Sequence, residues 1–222
     1  MRFNRLTGWF VALFAAAGLL LGVQTAVQAH PHAWIDIRVK VLFDEKGRIY
    51  ALAQEWIFDP MYTAFALEGL SEKGAPPDPK KVAAVTQENL KNMRDYDYLT
   101  EVETKSGKAK FAGVRDVESG VEKNRLTMSF TLTLDAPLDA AGQPVTYSIY
   151  DPTFYIEILH AEGGGAIELV EAPAGCRHEL RVPKPNPEMV AFAAALDRTQ
   201  SAGDGLGKFF AERVAVECAA QP

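Results

Sequence analysis

The stretch Arg125-Leu126-Thr127-Met128-Ser129-Phe130-Thr131-Leu132-Thr133-Leu134 decides the fold class, because apolar and hydroxyl-bearing side chains alternate along it without a break. Successive side chains of an extended strand point to opposite faces. Leu126, Met128, Phe130, Leu132 and Leu134 are therefore expected to face a core, and Thr127, Ser129, Thr131 and Thr133 to face outward. The same period of two sets Ala33, Ile35, Ile37, Val39 and Val41 against His32, Trp34, Asp36, Arg38 and Lys40. That strand runs through the turn sequence Asp44-Glu45-Lys46-Gly47 into a second extended run, Arg48 to Phe58, which predicts an antiparallel hairpin.

Asp59-Pro60 ends the hairpin and has the chemistry of a helix start, an N-cap carboxylate followed by proline at the first helical position. Helical spacing from Met61 to Leu70 and from about Lys80 to Tyr96, separated by Gly74-Ala75-Pro76-Pro77-Asp78-Pro79, predicts a helical insertion over about 60–97. Further strands are expected at Leu99 to Lys105, Lys108 to Val117, Pro144 to Tyr150, Phe154 to His160, Ile167 to Val170 and Cys176 to Val182. A helix is expected from Glu188 to Asp197, then a Gly-rich hinge at Gly203 to Gly207. The tail Lys208 to Cys218 reads as helical or extended. Strands on both sides of a helical insert predict an α+β fold, a mainly antiparallel β-sandwich-like domain with a helical or extended tail over about 184–222.

Arg2 and Arg5 precede a charge-free apolar run from Trp9 to about Val23, and Val27-Gln28-Ala29 supplies a small-residue cleavage signal. Residues 1–29 are thus expected to be a signal peptide, leaving 30–222 as one periplasmic domain. An apolar run of roughly 15 residues is short of the about 20 that span a bilayer, which counts against an uncleaved anchor. Loss of the two arginines takes the formal charge from −6 to −8. With no long run of Lys or Arg left, nucleic acid is not an expected partner.

Only two cysteines occur, Cys176 and Cys218. Export would place them in an oxidising compartment, where one disulfide is expected; closing a loop of roughly 40 residues would contribute about 3 to 4 kcal/mol. A two-thiolate metal site is the alternative, though the short C-x-x-C spacing is missing.

Cleavage after Ala29 would make His30-Pro31-His32 the start of the mature chain, with half of the four histidines beside a free amine. Histidines at i and i+2 of an extended chain project to one face and can close on one cation. Imidazole and amine donors suit Zn(II), Ni(II), Co(II) and Cu(II) rather than alkaline-earth ions. Pro31 has no amide proton, so the square-planar amino-terminal copper and nickel motif is excluded. Asp36, Asp59, Asp151 and His160 are candidate completing ligands. Asp59 also reads as a cap and Asp151-Pro152 as a turn starter. No G-x-S-x-G, H-E-x-x-H, phosphate-loop or dinucleotide fingerprint occurs, so an enzyme is not expected.

Taken together, Ala29-His30-Pro31-His32-Ala33-Trp34-Ile35-Asp36, Trp56-Ile57-Phe58-Asp59, Glu88-Asn89-Leu90 before Tyr96-Asp97-Tyr98, Tyr150-Asp151-Pro152-Thr153-Phe154-Tyr155, and Pro173-Ala174-Gly175-Cys176 with the late Cys218 resemble one family. It is an uncharacterised bacterial periplasmic family, described as a periplasmic component of ABC-type transport systems and often neighbouring nickel/cobalt permeases. The resemblance covers most of the mature chain. It implies transition-metal handling beside an inner-membrane metal permease. Many relatives carry an acidic calcium-type loop before the second helix; Ser71 to Asp78 has too few oxygen ligands for that role.

The resulting expectation is a periplasmic accessory protein, not membrane-spanning after cleavage, that binds Ni, Co or Zn through His30 and His32 and serves a permease. Asp36, Asp59 and Asp151 would complete or support the site. Two alternatives remain open: a metal-free envelope module that docks a permease, and a histidine-brace copper protein needing a further imidazole from His160 or His178.

Overall fold

The stretch Arg125 to Leu134 forms the first part of a long strand whose Leu126, Met128, Phe130, Leu132 and Leu134 are all buried; Thr131, expected to face outward, is buried as well. The computed structural model describes residues 31–70, 76–196, 203 and 205–219; the expected leader and His30 lie outside these. In chain order the strands are β1 (Ala33–Phe43), β2 (Ile49–Phe58), β3 (Thr100–Thr104), β4 (Gly107–Lys108), β5 (Phe111–Glu122), β6 (Arg125–Leu138), β7 (Val145–Ile149), β8 (Ile156–His160), β9 (Ile167–Val170), β10 (Arg177–Arg181) and β11 (Arg213–Glu217). The helices are α1 (Pro60–Ala66), α2 (Pro79–Met93) and α3 (Pro187–Ala195).

These strands form two sheets. The first is six-stranded, in the order β5-β6-β2-β1-β8 with β9 also on β1; the second runs β10-β11-β7-β3-β4. The expected hairpin is present, with β1 antiparallel to β2 from Ile35 opposite Phe58 to Phe43 opposite Ile49. Ile37, Trp56 and Phe130 from the first sheet and Val102, Tyr147 and Val214 from the second belong to one continuous core. Each such large side chain contributes about 1.5–3 kcal/mol by leaving water. The α+β class, the sheet packing and the helical insertion all follow the sequence expectation.

Two buried polar links join the sheets. Gln54 of β2 accepts the Trp56 indole N–H at 2.9 Å and donates to Thr100 Oγ1 of β3 at 3.1 Å. His160 of β8 lies 3.1 Å from the Tyr147 hydroxyl of β7 and 2.7 Å from Glu212, just before β11. Every named polar atom in these links has a partner, which is what makes its burial tolerable.

Three expectations are corrected and one open alternative, the tail, is resolved. The predicted strand Lys108 to Val117 is two strands in different sheets, because the chain crosses over at Ala109 and Lys110. Ala109 N–H bonds to Val102 O in one sheet, while Lys110 O accepts from Asp135 N–H in the other. The second helix stops at Met93, short of Tyr96. Asp97 and Tyr98 take left-handed conformations at φ 52° and 55°, turning Tyr98 into the core against Phe130. The ambiguous tail is extended, as β11, and lies between β10 and β7. Gly205 and Gly207, expected in a hinge, both donate to Pro152 O. A Cβ on Gly207 would lie 1.8 Å from the Asp151 carbonyl oxygen, so this glycine permits a close backbone approach.

The edge of β1 carries another feature that periodicity does not predict. β8 pairs with it in parallel over Ala33 to Ile37, and β9 does so over Val39 to Leu42. Thus the first sheet is mixed. Cys176 and Cys218 are disulfide-bonded across 42 positions, which fixes the end of β11 to the segment before β10. Among the described residues no helix is long and apolar enough to cross a membrane.

Candidate functional site

The sheet topology gathers the start of β1, the end of β2 and the start of β8 at one rim of the first sheet. His32 opens β1. Its backbone N–H donates to Tyr155 O at 2.8 Å, and its ring lies 4.6 Å from the Tyr155 ring. The histidine therefore sits on a fixed backbone. Its sequence partner His30 lies outside the described residues.

The three aspartates have defined occupations. Asp59 caps α1, accepting the N–H groups of Met61 and Tyr62 on Oδ1 at 2.7 and 2.9 Å, and takes Trp34 N–H on Oδ2 at 3.0 Å. Asp59 N–H returns a bond to Trp34 O, so this one residue fixes both the helix start and the head of β1. Asp151 holds the turn into β8 by accepting from Thr153 N–H, Thr153 Oγ1 and Ile156 N–H. Asp36 is engaged by Arg125 at 2.7 Å; the same guanidinium donates to Phe58 O and Ile57 O. Asp59 and Asp151 thus frame the rim through backbone hydrogen bonds, and Asp36 lies farther along β1. Among the described residues no group of three or more His, Cys, Asp or Glu side chains converges to hold a metal ion.

The other histidines are elsewhere. His160 is buried at 8% exposure, and Glu212 accepts from both its backbone N–H and its Nδ1 at 2.7 Å. A carboxylate only accepts, so Nδ1 carries a proton toward Glu212, and Nε2 lies 3.1 Å from the Tyr147 hydroxyl. Burial, with the nearby Glu212 charge, pushes the Tyr147 phenol far above its usual range and keeps it a donor. His178 lies exposed on β10 of the second sheet.

Sequence reasoning missed Glu157. It pairs in register with Trp34 across the parallel β1–β8 contact, and the Trp34 indole is its hydrogen-bonding neighbour. Burial pushes its carboxyl above the ordinary range, outweighing the indole bond, and Glu212 adds to the effect. A groove of about 500 Å³ opens here, lined by Pro31, Trp34, Phe154 and Glu157, by Val190 and Ala193 of α3, and by Phe210. The one sequence signal was a lone acid within the apolar run Phe154 to Leu159.

A two-sheet α+β fold stapled by a disulfide, with its first strand opening at an aromatic rim, defines the class. The chain belongs to the DUF1007 family of proteins of unknown function, whose model matches residues 15–218. It is also similar to an uncharacterised protein of Haemophilus influenzae, 24% identical over 204 residues that cover 90% of this chain and 97% of that one.

Proposed function

We propose that this protein is a periplasmic accessory component that binds a divalent transition metal, Ni, Co or Zn, at the head of β1 and serves an inner-membrane metal permease. The observation that carries this reading is the fixed position of His32, held by the Tyr155 carbonyl and lying against the Tyr155 ring. A pinned imidazole loses less freedom when it takes an ion than one on a frayed end. His32 and His30 are the ligands, with the terminal amine optional. Asp59 and Asp151 act indirectly, by holding the backbone that presents His32. The metal is cargo here, and water can complete its shell. The Cys176–Cys218 disulfide supports an oxidising compartment.

Calorimetry with Zn(II) and Ni(II) on the purified protein tests the reading. Imidazole must be deprotonated to bind, so affinity falls as pH drops through about 6.5, between measurements at pH 7.5 and 5.5. His32→Ala reduces affinity at least about tenfold. Equal affinity at the two pH values, or a His32→Ala variant that binds as well as its parent, overturns the proposal.

A second reading, a module that docks a permease without metal, is favoured by apolar surface around α3. Phe192 and Phe209 are about half exposed, and Val182 and Val190 are also exposed. On this reading His32→Ala leaves association with the permease unchanged.

A further inference from the structure

The groove between β1, β8 and α3 has a different chemistry from a metal centre. Among the described residues that line it, Glu157 is the one charged group; the others are apolar or aromatic. Trp34 is 42% exposed, so its indole can present a π-face to a ligand while its N–H remains beside the Glu157 carboxylate. Phe154 and Phe210 are stacked at 3.9 Å between ring centroids and close one wall. Val190 of α3, also partly exposed, contributes an aliphatic wall.

A carboxylate in such surroundings has lost much of its hydration without gaining a cationic partner in the groove. A divalent metal would need several donor atoms, and this lining supplies one carboxylate. A compact hydrated cation would leave the apolar walls wet. An ammonium group on a hydrocarbon stem matches both features, with its charge set on Glu157 and the Trp34 face and its stem against Phe154, Phe210 and Val190. The volume is within the range of small-molecule sites, about 300–1,000 Å³.

The geometry points to a binding site for a small organic ammonium ion with an apolar stem, held by Glu157 and Trp34 in the groove beneath α3. The site is separate from the metal reading of His32 and stands without it.

Titration with n-hexylammonium and with the uncharged 1-hexanol, followed by calorimetry and by the Trp34 indole N–H resonance, tests it. The amine should bind roughly tenfold more tightly than the alcohol, the scale of one charge-assisted contact. Glu157→Gln should remove that preference while leaving alcohol binding unchanged. Phe210→Ala should weaken both ligands, and His32→Ala should change neither. Equal binding of amine and alcohol overturns the proposal, as does a preference for the amine that survives Glu157→Gln. So does perturbation of resonances outside this groove with that of Trp34 unmoved. Retained dispersion of the amide spectrum verifies that each variant is folded.

Discussion

The interior between the sheets and the rim at the head of β1 both contain acidic and aromatic side chains, but use them differently. In the interior, Glu212 has its contacts with His160 supplied by the protein, and Gln54 is matched by Trp56 and Thr100. At the rim, Glu157 faces a groove beside a half-exposed indole. A polar group whose partners are built into the fold contributes to stability and specificity of packing. One placed at an open groove is positioned for a partner that arrives from outside.

The largest expected effect breaks the interior arrangement. His160→Ala removes the ring shared by the Glu212 carboxylate and the Tyr147 hydroxyl, leaving Glu212 only the backbone N–H of residue 160, and should cost about 3 kcal/mol in urea denaturation. If it costs no more than an exposed substitution, the interior link has no structural role and the contrast collapses. Asp59→Ala lies between the two regions, since its carboxylate caps α1 and also holds Trp34 N–H. It should cost about 1–3 kcal/mol in the same assay.

The smallest effects are on pH dependence, and their signs differ. At Glu101, burial opposes ionisation, but hydrogen bonds involving Lys108, Glu103 and Lys208 outweigh it and hold the carboxyl down from its ordinary 4.5 to about 2. Its contribution is present above pH 4.5 and fades as pH falls toward 2, so Glu101→Gln should flatten that part of a Tm–pH curve. Glu157 is raised, so the folded state holds its proton more tightly than the unfolded chain does. Stability therefore declines as pH rises above 4.5, and Glu157→Gln should raise Tm slightly at pH 7 and not at pH 4. A Tm gain of equal size at both pH values would show that the groove does not hold the Glu157 proton more tightly than the unfolded chain does.

Local features were legible in the sequence because local chemistry determines them. Alternation identified β1 and β6, and Asp59-Pro60 identified the start of α1, since each depends on neighbours a few positions away. Parallel pairing of β1 with β8 and β9 joins segments more than a hundred positions apart, and hydropathy carries no record of such pairing. Its consequence, the placement of Glu157 beside Trp34, was hidden for the same reason. The crossover at Ala109 and Lys110 was hidden because both halves of that segment have strand character. Among the site candidates, the dual reading of Asp59 and Asp151 as cap and turn residues anticipated their hydrogen bonds. The Arg125 clamp on Asp36 depends on strand register and left no sequence signal.

The placement of β11 bears on the order of assembly. It is the latest described strand along the chain, yet it occupies an inner position, with β10 on one flank and β7 on the other. Until residues 213–217 are in place, those two flanks have no bridge and expose open hydrogen-bonding edges. Closure of the second sheet must therefore await the late segment, and that long-range step should make maturation slow and aggregation-prone until β11 slots in.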